Sequence, residues 1–131
     1  RAACASAQRI AEHFAQHARV AEVLYPGLPG FRGHDIARRQ MTGGFGGMLS
    51  ILVKGALPAA RSFMQRCKLF ALAESLGGVE SLINHPAIMT HASVPPENRA
   101  RLGIHDNLVR LSVGVEDVAD LRAELDAALN G

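Results

Sequence analysis

Leu108-Val109-Arg110-Leu111-Ser112-Val113 alternates with a period of two, and no other run limits the fold of this chain so tightly. Val109, Leu111 and Val113 share one face of an extended strand, while Leu108, Arg110 and Ser112 share the other. Gly114 ends the run. Asp117 then caps a helix with Asp120 at its third position and Val118, Leu121, Leu125 and Ala128 on its apolar face. A strand feeding an amphipathic helix requires a sheet with a covered face. It also places Arg110 mid-strand, where a guanidinium loses hydration and needs an anion. Its planar fork of donors suits bidentate contact with a carboxylate. A structural ion pair with an Asp or Glu of the same chain meets the same need, and the strand pattern alone favours that plainer account.

Further elements surround this unit. Ala3, Ala7, Ile10, Phe14 and Ala18 recur at steps of three and four, which predicts an amphipathic helix over 3–18. Val20 to Tyr25 reads as a short strand, stopped by Pro26-Gly27-Leu28-Pro29-Gly30. His34 to Gln40 suits a short helix. Gly43, Gly44, Gly46 and Gly47 surround Phe45 and lead into a strand over Met48–Val53, which Gly55 ends. Pro58 to Arg66 suits a helix with proline in its first turn. Phe70–Leu72 reads as a strand and Ser75-Leu76-Gly77-Gly78 as the turn after it. Pro95-Pro96-Glu97 opens a short helix that ends near Gly103. Four strands separated by helices fit a parallel sheet. A small α+β sandwich, with helices on one face of a mostly antiparallel sheet, fits equally. With no repeat, low-complexity tract or internal linker, residues 1–131 read as one domain.

Charge and composition remove several function classes. Fourteen basic side chains face twelve acidic ones, with no basic stripe interleaved with aromatics, so no nucleic-acid partner is expected. No apolar run approaches a bilayer span, so no membrane partner is expected either. Cys4 and Cys67 form no Cys-x-x-Cys pair and follow no secretory signal, which suits reduced thiols in a cytoplasmic protein. The sequence opens on Arg1 inside a helical pattern, which reads as a fragment or a domain of a longer chain. His13 and His17 have a metal-ligand spacing, but both lie on the polar side of their helix with no third ligand near, so they read as solvated and no metal site is expected. His85 and His91 bracket a loop and either tie it together or reach an active site. The Ser75 hydroxyl beside two glycines makes a weak anion site or an ordinary turn. Glu74 is a solvated carboxylate or a group facing substrate. The glycine run around Phe45 lacks a Lys-Ser/Thr ending and precedes a strand, so it reads as a close-packed start of that strand rather than a phosphate loop.

Ala73-Glu74-Ser75-Leu76-Gly77-Gly78-Val79-Glu80-Ser81-Leu82 resembles a segment of the Cys/Met-metabolism pyridoxal-phosphate (PLP) enzymes, the family of cystathionine γ-synthase, γ-lyase and β-lyase, methionine γ-lyase and the homoserine-ester sulfhydrylases. The resemblance continues through His85-Pro86-Ala87-Ile88-Met89-Thr90-His91-Ala92-Ser93, Leu102-Gly103-Ile104 and Leu108 to Asp117. Upstream it takes in Val23 to Leu28 and Gly44 to Ser50, so it spans essentially the whole chain. It implies the C-terminal domain of a fold-type-I PLP enzyme: an α+β sandwich with a mostly antiparallel sheet of about four strands and helices on one face. It also implies that Ser75 and Arg110 bind the α-carboxylate of an amino-acid substrate, with Glu74 and Leu76 beside them. That reading replaces the plainer accounts of both residues. A held carboxylate fixes how the Cα bonds sit against the cofactor.

The resemblance equally implies what the chain lacks. PLP chemistry needs a Schiff-base lysine, a carboxylate on the pyridinium nitrogen, an aromatic on the ring and a phosphate cradle. The only lysines are Lys54 and Lys68, neither in the family's lysine motif, and Tyr25, the only tyrosine, is not the ring-stacking residue. The catalytic and cofactor-binding groups are therefore expected on a missing large domain, and the isolated chain is expected to be inactive. The full-length enzyme is expected to be a homotetramer. Glu74 directly before Ser75 points to γ-elimination or γ-replacement on cystathionine or an activated homoserine, rather than to the other members. The rival class is a non-catalytic stand-alone fragment that keeps the carboxylate pocket.

Overall fold

The structure, a computed structural model, describes residues 2–72, 80–86, 94–102 and 105–130. The chain runs α1 (Ala2–Phe14), β1 (Val20–Leu24), α2 (His34–Gln40), β2 (Met48–Val53), α3 (Ala56–Arg66), β3 (Ala71–Leu72), β4 (Leu82–Asn84), α4 (Pro96–Arg101), β5 (Leu108–Ser112) and α5 (Val118–Asn130). One sheet takes the order β1-β2-β5-β4-β3. Its pairs are antiparallel except β3 with β4, which run parallel. The sheet is thus mostly antiparallel, with five strands where the sequence indicated about four. The additional strand is β4. Its three residues are too few to carry an alternating signal, and it exists because β5 and β3 supply partners on both its edges.

Side-chain alternation decides which face is covered. Leu49, Ile51 and Val53 of β2, Ile83 of β4, and Val109 and Leu111 of β5 are buried in one core with Ile10 and Phe14 of α1, Phe63 of α3, and Leu121 and Leu125 of α5. α1 packs on β1, β2 and α5, while α3 packs on β2 and α5, so these three helices form one layer. Pairing shifts by one residue between Val20 and Glu22, a bulge that lets Val20 and Val23 both face the core although they are three apart.

Local signals set most boundaries. Asp117 Oδ1 accepts from the backbone N–H groups of Ala119 and Asp120 at 2.8 and 3.2 Å, the expected N-cap of α5. Gly55, at φ 105°, turns the chain into α3, which begins two residues before Pro58. α1 stops at Phe14, short of the expected Ala18, because the hydrogen bonds tighten from Ala15–Ala11 to Gln16–His13 and His17–Phe14. That tight turn carries His13 and His17 against α5. His13 Nε2 lies 2.7 Å and His17 Nε2 3.5 Å from Asp126 Oδ1, and the His17 side chain is only 10% exposed. Arg122 donates to His13 Nδ1, so His13 donates to Asp126 through Nε2. The two histidines clasp α1 to α5 and are not the freely solvated pair that the helical wheel suggested.

A second clasp holds the segment between α3 and β3. Glu124 of α5 accepts from the backbone N–H groups of Lys68, Leu69 and Phe70, the last two at 2.6 and 3.1 Å. Burial, with Glu124 nearby, pushes the Cys67 thiol up to about 12, so it stays protonated and unreactive at neutral pH. Replacing Glu124 by Ala strips three backbone donors of their acceptor. Urea denaturation is expected to register a loss of about 1–3 kcal/mol, with a smaller loss for Glu124→Gln, which keeps one acceptor oxygen.

Candidate functional site

β5 is the middle strand, and the face opposite the core carries its Leu108, Arg110 and Ser112. Strand register then builds a row across that face. Leu24 pairs with Ser50, Ser50 with Arg110, and Arg110 with Asn84. Met48 and Leu82 flank Ser112 on one side of the row, and Leu52 lies beside Leu108 on the other. Arg110 is half-buried in this mixed polar and apolar floor, and its Nε donates to Asn84 Oδ1 at 3.1 Å. A guanidinium presented from the centre of a sheet, on the face away from the helix layer, is equipped to bind an anion such as a carboxylate.

The other expected site residues, Glu74, Ser75 and Leu76, lie outside the described residues, as does His91. The strand leading toward them is described. Leu72 of β3 sits level with Ile83 and Leu111, one residue short of the Asn84–Arg110 row and two strands from β5, or about 10 Å. The start of β4 is fastened by side-chain hydrogen bonds. The fully buried Ser81 donates its Oγ–H to Glu116 Oε1 at 2.8 Å and its N–H to Glu116 Oε2 at 3.0 Å, and its Oγ accepts from the Gly114 N–H at 2.9 Å. This knot ties the start of β4 to the loop between β5 and α5. His85, also fully buried, donates from Nε2 to the Asp106 carbonyl, which adds a tie from the end of β4 to the approach of β5.

Glycine and tyrosine complete the frame. A Cβ on Gly47 would lie 3.2 Å from the Val113 carbonyl oxygen and 3.3 Å from Ala3 Cβ, and one on Gly44 2.9 Å from Cys4 Cβ, so these two glycines are close-packed as the sequence indicated, whereas Gly43 and Gly46 meet open space. The Tyr25 hydroxyl donates to the Gly46 carbonyl at 2.8 Å. Burial, with Cys4 and Glu12 nearby, raises that hydroxyl to about 12, so Tyr25 is a structural donor and not an acid-base group at neutral pH.

The described residues do not fit PLP. Lys54 follows β2 and Lys68 precedes β3; both are exposed, and neither stands with an aromatic platform or a phosphate cradle. An open groove of about 660 Å³ between α1 and α5, lined by Arg9, Glu12, His13, Gln16, His17 and Arg122, lies on the helix layer, across the sheet from Arg110. No group of three His, Cys, Asp or Glu among the described residues is arranged to hold a metal ion. Nor is any described helix long and apolar enough to cross a membrane.

Two parts of the site were missed in the sequence. Asn84 falls in the gap between two family segments and sits in a strand too short to announce itself. Glu116 lies within a family segment but carried no role, because its partner Ser81 is 35 residues away.

Residues 1–130 match the family described as Cys/Met metabolism PLP-dependent enzyme. The chain is 58% identical to the cystathionine gamma-lyase of Dictyostelium discoideum over 115 residues, covering 88% of this chain and 30% of that protein. It is 53% identical to the cystathionine beta-lyase of Coxiella burnetii over 126 residues, covering 96% and 32%. The crystal structure of cystathionine gamma synthase from Xanthomonas oryzae pv. oryzae in complex with cystathionine superposes with a TM-score of 0.93 at 48% identity, covering 98% of this chain and 33% of that one. The chain therefore spans about a third of the length of these relatives.

The Ser81–Glu116 knot gives a pH signature. Burial pushes the Glu116 carboxyl up, but hydrogen bonds from the Ser81 N–H, its own N–H and the Ser81 hydroxyl outweigh that and hold it below the ordinary value of 4.5. A folded-state value below the unfolded one stabilises the fold above pH 4.5, and the gain is lost as pH falls through the lowered value. Glu116→Gln is expected to be less stable than the parent at pH 7, with a gap that closes as denaturation is followed below pH 4.5. A gap that stays constant with pH contradicts this.

Proposed function

This chain belongs to the Cys/Met metabolism PLP-dependent enzyme family, and on that premise we propose that residues 1–131 form the C-terminal domain of a trans-sulfuration enzyme and hold the substrate's α-carboxylate. The observation that carries the reading is Arg110 on the middle strand, half-buried on the face opposite the helix layer. In the proposed site Arg110 binds the carboxylate, Ser75 adds its hydroxyl or N–H, and Glu74 and Leu76 line the approach.

PLP, when bound, supplies the electron sink for chemistry at and beyond Cα. This chain supplies orientation. Fixing the carboxylate leaves the Cα substituents little rotational freedom, so the bond to be broken is aligned before reaction. The cofactor itself belongs to a large domain that precedes this one. Support comes from the share of each relative that the chain spans and from exposed apolar side chains suited to covering, among them Leu72 at 63%, Leu102 at 67% and Val115 at 61%.

The substrate we favour is cystathionine or an activated homoserine, with γ-elimination or γ-replacement, in a cytoplasmic homotetramer. The similarity to a cystathionine beta-lyase over 96% of this chain keeps β-elimination as the second reading.

Kinetics of the full-length protein test the role of Arg110. Arg110→Ala is expected to raise KM for the amino-acid substrate on the order of 100-fold, the loss typical of removing one partner from a buried charge pair. The cofactor's visible absorbance is expected to stay unchanged. A KM within about threefold of the parent removes Arg110 from the substrate site.

A further inference from the structure

Asn84 is fully buried at the end of β4, directly opposite Arg110 in the antiparallel register. Its carboxamide has one possible orientation. Arg110 Nε only donates, so the atom 3.1 Å from it must be the Asn84 oxygen. The Nδ2 group is thereby turned away, and it is buried without an acceptor among the described residues. A buried donor left unsatisfied is unfavourable, and natural folds rarely keep one. An apolar residue at this position avoids that cost, and β4 would still pair. What the amide supplies that an apolar side chain does not is an acceptor at Arg110 Nε.

We propose that Asn84 is a positioning residue for substrate binding: its Oδ1 accepts from Arg110 Nε and holds the guanidinium in the orientation that meets the substrate carboxylate. This rests on the reading of Arg110 as the carboxylate anchor. A bond to Nε from a neighbouring strand fixes the plane of the guanidinium fork. It restrains the last bonds of a long side chain before the carboxylate binds, which lowers the ordering cost of binding. Asn84 touches Arg110 and acts through it.

The test uses the full-length protein with cystathionine as substrate and three variants. Asn84→Ala, which removes the acceptor, is expected to raise KM about 10-fold with kcat within about threefold, the pattern of lost uniform binding. Asn84→Gln, which keeps a neutral amide oxygen to accept from Nε, is expected to recover part of that loss. Thermal denaturation of each variant reports folding separately, and a structural role alone would move the melting temperature without this KM pattern. An unchanged KM in Asn84→Ala overturns the proposal, as does a folded Gln variant no better than Ala. Arg110→Ala separates the two readings. If it too binds normally, the anchor assignment fails; if it binds poorly while Asn84→Ala binds normally, only the positioning role fails.

Discussion

β5 is hydrogen-bonded along both edges, to β2 on one side and β4 on the other, so its side chains have only two directions in which to point. Val109 and Leu111 go into the core, where α1, α3 and α5 seal them from water. Leu108, Arg110 and Ser112 go the other way. A slip of one residue in either ladder would send Arg110 into the core among Ile51, Leu125 and Phe14, where an unpaired charge is prohibitive. The hydrophobic core therefore enforces the register, and the register places the guanidinium. Stability and the proposed binding role rest on the same hydrogen-bond ladders.

Two carboxylates extend that frame to places where the sheet alone gives little support. β3 and β4 have two and three residues, too short to hold their flanking segments. Glu124 gathers the backbone donors ahead of β3, and Glu116 gathers Ser81 ahead of β4. Both come from the β5–α5 unit or the loop within it. The unit that presents Arg110 thus also fixes the two short strands beside it.

Much of this was legible in the residues. The period of two in 108–113 fixed which side of β5 faces the helix-covered core, and Asp117 fixed the start of α5, because both signals are local. Helical spacing found α1 but overran its end, since the turn that stops it depends on contacts with α5. β4 was invisible because three residues carry no period. Asn84, Glu116 and Glu124 were invisible as partners because each acts across 26 residues or more. Arg110 needed a resemblance as well as a pattern: its place in a strand demands an anion but does not say whether a substrate or the protein supplies it. Ser75 stands on that resemblance alone.

The central claim is that the charge of Arg110 meets the charge of the substrate's carboxylate. It is tested most directly by measuring, in the full-length protein, the affinity for the amino-acid substrate and for its neutral α-carboxamide, each with Arg110 and with Arg110→Ala. The account expects the parent to prefer the carboxylate strongly and the preference to collapse in the variant, since removing either partner of one charge pair leaves nothing for the other to lose. Equal discrimination in both proteins would place the carboxylate site elsewhere and contradict the account.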